Sequence, residues 1–217
     1  MTLGRRSAAE GIGTAFLLAT VVGSGIMGER LSGGSIALSL LANSIATGAA
    51  LVALILALAP LSGAHLNPVV SLAAGWDRSL PWREVPSYLA AQLAGAFCGV
   101  AGANLMFELP AISISQHARH GAAQLFSESV ATFGLLFVVQ TCARMRDSTA
   151  VAFAVGGYIA AAYWFTASTS FANPAVTIAR CLSDTFAGIR PEDVPGFVGA
   201  QLVGAAAAVA AGRWILE

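Results

Sequence analysis

The chain has 217 residues, of which 57% are hydrophobic and only 10% are charged, and its mean hydropathy is +0.75. This composition excludes a soluble globular protein and indicates a chain that lies in a membrane. The formal net charge is zero and the chain contains no lysine, so we expect neither a nucleic-acid partner nor a polybasic segment that binds lipid headgroups.

Six stretches are long and apolar enough to cross a hydrocarbon core of about 30 Å. They lie at about 8–28, 35–59, 84–107, 121–142, 150–168 and 194–215. The first follows two arginines, as a signal peptide would, but it carries Glu10 and further spans follow it. We interpret it as an uncleaved first helix, and we predict a single transmembrane domain over residues 1–217.

Asn-Pro occurs twice, at Asn67-Pro68 and at Asn173-Pro174, and each copy opens a short apolar segment. Asparagine is a favoured N-cap and proline suits the first turn of a helix, so each copy predicts a helix start. The segment 67–76 gives about 15 Å of helix, roughly half of the hydrocarbon thickness. Such a helix enters the membrane and stops, and it is tolerated where it lines a watery cavity.

The chain contains an internal repeat. Glu10 and Thr14 recur as Glu128 and Thr132, and the segment 92–95 recurs as 201–204, with one Asn-Pro between them in each copy. Three spans in each half place the second copy in the opposite orientation, so we predict inverted repeats over about 1–112 and 119–217. The two half-helices then approach the midplane from opposite faces, and their positive ends converge there.

The arginines indicate the orientation of the chain. With the N-terminus inside, seven arginines lie on the cytoplasmic side and four on the other, which favours cytoplasmic termini. The first group is Arg5, Arg6, Arg78, Arg83, Arg144, Arg146 and Arg213, and the second is Arg30, Arg119, Arg180 and Arg190. We expect a multi-pass protein of the cell inner membrane.

The run from Ser62 to Val69, the second Asn-Pro-Ala and the two Glu-xxx-Thr helices resemble the aquaporin and aquaglyceroporin family. The resemblance covers essentially the whole chain. It implies an all-α membrane protein with six transmembrane helices and two re-entrant half-helices in an inverted repeat, one pore per subunit, and a homotetramer. It also implies a passive channel for small neutral solutes, with no enzyme activity and no cofactor.

The resemblance further implies which residues form the pore centre and its supports. In the family the two asparagines donate hydrogen bonds to a passing oxygen, and the helix dipoles repel cations. The pore-centre residues are Asn67, Pro68, Val69, Asn173, Pro174 and Ala175. Glu10 and Glu128 are expected to accept hydrogen bonds from the loops before the half-helices, and His65 is expected to brace its loop.

The selectivity filter departs from the family pattern. Aquaporins carry an arginine three residues after the second asparagine, and this chain has Val176 there. The family's other filter positions map to Thr47, Ala161 and Ser170. We therefore expect a wide, mildly polar constriction without an aromatic or charged side chain.

Such a constriction favours uncharged solutes with some apolar surface, including glycerol, urea and metalloid hydroxides. The segment 172–180 most resembles a bacterial subgroup linked to arsenic resistance, in which valine replaces the filter arginine. The resemblance implies passage of trivalent and methylated arsenicals and glycerol, with some water. A general glycerol and water facilitator without an arsenic role is the alternative, and a coupled secondary transporter is another.

Arg180 lies four residues after Val176, on the same helix face and about 6 Å further out. It is either a displaced filter arginine or a structural residue that pairs with Asp184 or caps loop carbonyls. Phe171 either lines the outer pore or only packs against neighbouring side chains.

Other motifs carry no function in this interpretation. The GxGxxG match at 23–28 ends an apolar span and follows no strand, so it does not indicate dinucleotide binding. His117 and His120 are too few for a metal site, and the three cysteines show no CxxC spacing. We expect no bound metal.

Overall fold

The computed structural model describes residues 1–144 and 148–216, which form helices and no strands. The α-helices are α1 (Leu3–Leu31), α2 (Ile36–Ser62), α3 (Pro68–Trp76), α4 (Val85–Met106), α5 (Ala122–Arg144), α6 (Ser148–Phe165), α7 (Pro174–Arg180) and α8 (Val194–Leu216). A short 3₁₀ turn at Pro191–Asp193 precedes α8. The predicted all-α fold is confirmed. Arg146, which entered the charge comparison, lies outside the described residues.

The long helices are of transmembrane length. Five apolar stretches are long enough to cross a membrane, at Leu3–Leu31, Ile36–Ser62, Val85–Met106, Ala122–Arg144 and Pro191–Ile215. The apolar stretch of α6, Thr149–Phe165, is shorter. The first helix begins at Leu3, and Thr2 is its N-cap.

The helices pack in two similar groups. In the first, α1 lies against α2 and α4, and in the second, α5 lies against α6 and α8. Both α1–α4 and α5–α8 cross at a glycine: a Cβ atom on Gly95 would overlap the carbonyl oxygen of Gly11, and one on Gly204 would overlap that of Ser129. Small residues allow two backbones to approach this closely, which compensates for the absence of a hydrophobic driving force in lipid.

The two groups join where α2 contacts α6. Gly48 and Gly156 face each other at this crossing, and a Cβ atom on Gly156 would lie 2.6 Å from the carbonyl oxygen of Gly48. The outer helix faces carry exposed apolar side chains such as Phe16, Phe126 and Phe153. Such a surface suits acyl chains better than water.

The half-helices α3 and α7 lie between the two groups, and their Asn-Pro starts contact each other. α3 packs against α4 and α8, whereas α7 packs against α4, α8 and α1. Because both helices begin in the interior, the loops that precede them must run through the core. These loops need hydrogen-bond partners from neighbouring helices.

Candidate functional site

The loop before α3 has an unusual backbone. Gly63 ends α2 with φ of +91°, and Ala64 and Leu66 have φ of +48° and +51°. The left-handed region is unfavourable for residues with a Cβ atom, so surrounding contacts must hold this loop. One such contact is the hydroxyl of Ser62, which accepts a hydrogen bond from the Ala64 amide at 3.1 Å.

Glu10 on α1 provides further contacts to this loop. Its carboxylate is fully buried and accepts hydrogen bonds from the His65 amide at 2.9 Å and the Leu66 amide at 2.7 Å. It also accepts from the Ser62 hydroxyl at 2.6 Å and from the Gln92 amide at 2.8 Å. The carboxylate therefore satisfies backbone donors that would otherwise be buried and unpaired.

The loop before α7 repeats these contacts. Ser170 and Ala172 have φ of +51° and +48°, and the Ser168 hydroxyl accepts a hydrogen bond from the Ser170 amide at 3.2 Å. The buried carboxylate of Glu128 accepts from the amides of Phe171 at 2.8 Å and Ala172 at 2.9 Å. The two loops thus share one geometry.

Two glutamines connect these carboxylates to the half-helices. The amide of Gln92 donates to Glu10 and, at 2.9 Å, to the Ser71 hydroxyl on α3. The amide of Gln201 donates at 2.7 Å to Glu128 and at 2.8 Å to the hydroxyl of Thr177. The repeated Gln-Leu-x-Gly segments in the sequence therefore correspond to equivalent positions in the structure.

His65 also lies where a bracing residue is expected. Its Nδ1 atom is 3.0 Å from the Ser71 hydroxyl, and its ring packs at 5.3 Å from that of Tyr88. The equivalent pair in the second half is Phe171 and Phe197, whose ring centroids are 5.2 Å apart.

Asn67 and Asn173 lie at the contact between the half-helices. Each caps its own helix: Asn67 Oδ1 accepts from the Val69 amide at 3.1 Å, and Asn173 Oδ1 accepts from the Ala175 amide at 3.0 Å. Each Nδ2 atom donates at 2.8 Å to a carbonyl of the opposite loop, Ala172 for Asn67 and Leu66 for Asn173. Since an amide nitrogen carries two hydrogens, each side chain retains one donor for another oxygen.

Both asparagines line a cavity of about 800 Å³. At one end it is lined by residues that follow α3 and by the ends of α5 and α8, among them Asp77, Arg144 and Arg213. At the other end it is lined by residues near the ends of α6 and α7. Much of its wall is apolar, formed by Leu17, Val21, Leu51, Ile55, Val155 and Ile159. The arrangement offers polar groups at the centre and a largely apolar path on either side.

Thr47, Ser170 and Val176 all line this cavity. Ala161 does not: it lies on the exposed face of α6. Tyr163, two residues further on, lines the cavity instead, and its hydroxyl is 3.2 Å from that of Thr47. The expectation that Ala161 lines the filter is therefore wrong, and the aromatic side chain of Tyr163 lies beside Thr47 on the cavity wall.

Phe171 and Arg180 also line the cavity, and both are buried. The Nε atom of Arg180 donates to the carbonyl of Ala187, and its guanidinium carbon lies 3.5 Å from the centre of the Phe171 ring. Asp184 accepts instead from the Gln116 amide at 2.8 Å. Of the structural roles considered for Arg180, the structure shows the carbonyl contact, and it also brings this residue to the cavity.

Arg119, in the loop between α4 and α5, was missed as a contributor to this region. Its guanidinium donates to the carbonyls of Gly188 at 2.7 Å and Phe186 at 3.2 Å, and it lies 5.1 Å from the Phe171 ring centre. Burial lowers the pKa of Arg119 to about 10, so the side chain stays protonated at neutral pH. An isolated arginine in a loop gave no sequence signal for this position.

The remaining motifs do not form a metal site. Within residues 1–144 and 148–216, no three His, Cys, Asp or Glu side chains gather in a way that could hold a metal ion. The His120 ring is 3.2 Å from an Arg190 nitrogen, whereas the His117 amide donates to the Ser115 hydroxyl. All three cysteines are free thiols.

Residues 1–150 match the model of the major intrinsic protein family. The chain is also 54% identical over 215 residues to aquaglyceroporin AqpS of Rhizobium meliloti. This match covers 99% of this chain and 91% of AqpS. The chain belongs to the major intrinsic protein family. It is therefore a multi-pass membrane channel for small uncharged solutes and not an enzyme.

A more distant relative of this chain is aquaporin NIP2-3 of Zea mays, which is 33% identical to it over 197 residues. That match covers 86% of this chain and 63% of the maize protein. The X-ray structure of the aquaglyceroporin from Plasmodium falciparum superposes with a TM-score of 0.77 at 22% identity, over 98% of this chain and 95% of that one. This likeness supports the aquaporin-like fold.

Proposed function

We propose that this channel conducts glycerol and trivalent arsenicals, including methylated forms, passively through the cavity between the half-helices, with some water. The observation that supports this most is the presence of Val176 on the cavity wall, at the position where the family carries an arginine. Its isopropyl group leaves more space than a guanidinium and brings no donors that a solute must satisfy.

The chemistry of the wall fits these solutes. Trivalent arsenicals and glycerol are neutral molecules with hydroxyl groups, and a methylated arsenical adds an apolar face. Thr47 and Tyr163 carry hydroxyl groups on this wall, while Leu51 and Ile159 offer apolar surface. A solute with both kinds of surface can exchange water contacts for contacts with this wall.

A coupled transporter is less compatible with the site. Carriers bind ions through buried charges at their broken helices. Here Glu10 and Glu128 accept hydrogen bonds from the loops and are not among the residues that line the cavity. We assign these carboxylates to the support of the loops.

The assembly and orientation belong to the same proposal. Exposed apolar helix faces provide surface both for lipid and for a homotetramer of four pores. The chain contains two inverted repeats, about 1–112 and 119–217, within one transmembrane domain. Both termini face the cytoplasm in the cell inner membrane, because arginines are more numerous on that side.

Swelling of proteoliposomes tests this function. We expect the protein to accelerate entry of glycerol and of methylarsonous acid in proportion to their gradients, without saturation and without dependence on sodium or proton gradients. Liposomes without protein give the background. Glycerol entry without any arsenical entry would favour a general glycerol and water facilitator, and flux that follows an ion gradient would favour a coupled transporter.

A further inference from the structure

We propose that Arg180 provides the fixed positive charge of the outer constriction, one helical turn further out than the arginine that Val176 replaces. The inference rests on the proposed passive pore and names the residue that excludes cations from it. Arg180 lines the cavity and is only 1% exposed. It follows Val176 by four residues on α7, so the two side chains lie on one face, about 6 Å apart along the helix.

The side chain of Arg180 is held in place from two directions. Its Nε atom donates to the carbonyl of Ala187, and its guanidinium lies 3.5 Å above the Phe171 ring. Phe171 is itself fixed by its amide, which donates to Glu128, and by its ring contact with Phe197. A guanidinium held in this way can present a constant charge to the cavity instead of moving away from it.

The second guanidinium in this region has a different role. Arg119 is not among the residues that line the cavity, and it donates to two carbonyls of the segment that also contains Ala187. It therefore fixes the loop that holds Arg180. Its charge also adds to the positive potential beside Phe171.

One donor of Arg180 has no partner in the structure. Its Nη1 atom is buried and donates no hydrogen bond. Within the described part of the chain, the ion pairs found are Arg6 with Glu84 and Arg190 with Asp193, so Arg180 forms no salt bridge. The charge of the Glu128 carboxylate acts on Arg180 without direct contact. A buried charge with an unused donor is costly, and the contacts of Arg180 with the Ala187 carbonyl and the Phe171 ring offset part of this cost.

The consequence is a division between size and charge selectivity. Val176 leaves the inner part of the constriction wide, which favours solutes with apolar surface. Arg180 keeps the outer part closed to cations, because a cation would have to lose water while it passes a fixed guanidinium. The channel can thus lack the family arginine without losing cation exclusion.

Removal of the charge is the direct test. In Arg180→Gln, the amide can still donate to Ala187 but carries no charge, and we expect the proton and potassium permeability of proteoliposomes to rise by about tenfold or more. Arg30→Met is the matched control, because Arg30 also donates to a backbone carbonyl and lies over a phenylalanine, Phe107, but does not line the cavity. We expect this control to match the wild type.

Two further variants complete the experiment. Arg180→Lys keeps the charge, so its ion permeability should remain low. The double variant Val176→Arg with Arg180→Gln returns a charge to the inner position, and it should restore cation exclusion. A folded Arg180→Gln protein with wild-type ion permeability would overturn the inference, as would an equal leak in the Lys variant. Should the Gln variant fail to fold, Arg180→Met and the double variant Val176→Arg with Arg180→Met give the same comparison.

Glycerol flux separates this inference from the proposed function. If the wild type carries no glycerol and no arsenical, the proposed passive pore fails whatever the ion permeabilities show. If the wild type carries these solutes and the charge-free variants exclude cations equally well, only the assignment to Arg180 fails.

Discussion

The carboxylate of Glu128 determines the stability of the loop before the second half-helix. Replacement by alanine leaves the amides of Phe171 and Ala172 without an acceptor, because their partners at 2.8 and 2.9 Å are both oxygens of Glu128. A buried donor without a partner costs about 1–3 kcal/mol, so two backbone donors cost about 2–6 kcal/mol in total. The Gln201 amide also loses a partner but keeps its bond to Thr177.

The free energy of unfolding of purified Glu128→Ala in detergent measures this cost. Glu29→Ala is the matched control, because Glu29 is exposed near the end of α1, and we expect its stability to stay within about 0.5 kcal/mol of the wild type. Glu128→Gln keeps one acceptor and should fall between the two. Equal stability of Glu128→Ala and Glu29→Ala would refute the idea that the carboxylate holds the loop.

Two further predictions concern the pore centre and the helix contacts. Asn173→Asp places a carboxylate beside the positive helix ends, so we expect weaker cation exclusion in planar bilayers. A cation conductance equal to that of the wild type would argue against the position of Asn173 at the pore centre. Gly95→Ala brings a Cβ atom onto the carbonyl of Gly11 and should lower the thermal midpoint in detergent, whereas Gly102→Ala, which has open space, should leave it unchanged. Equal midpoints for the two glycine variants would contradict the close α1–α4 packing.

Local sequence signals predicted the half-helices well. The Asn-Pro pairs identified the starts of both α3 and α7, because a capping asparagine and a proline at the first turn act within a few residues. α3 ends at Trp76, as the predicted segment does. The paired glutamates also identified supports of the two loops, since each repeat keeps the same order of Glu, Asn-Pro and Gln. The glutamines were recognised as part of the repeat but not as supports.

The position of Tyr163 could not be found by counting residues back from Asn173. Such counting assumes a fixed length for the connection between α6 and α7, whereas helix periodicity decides which face is inside. Val155, Ile159 and Tyr163 follow each other at intervals of four and all line the cavity. This periodicity would place Ala161 on the opposite face, so the sequence held a signal that the count ignored.

The contact between Arg180 and Phe171 was beyond the reach of the sequence for another reason. It depends on the carbonyl of Ala187 and on Arg119, which come from two loops without regular structure. Spacing along α7 placed Arg180 near the outer pore but could not decide what its guanidinium contacts. A tertiary arrangement of loops determines that orientation.

The central claim is that Val176 lines the conducting pore and sets its solute range, and Val176→Arg in the reconstituted protein tests it most directly. The long cationic side chain would narrow the cavity beside Thr47, Tyr163 and Ser170 and add donors that a solute must satisfy. In stopped-flow swelling at equal protein density, we predict that glycerol and methylarsonous acid slow clearly, while water slows less. If all three fluxes equal those of the wild type in a folded protein, residue 176 does not line the conducting pore and the account is contradicted.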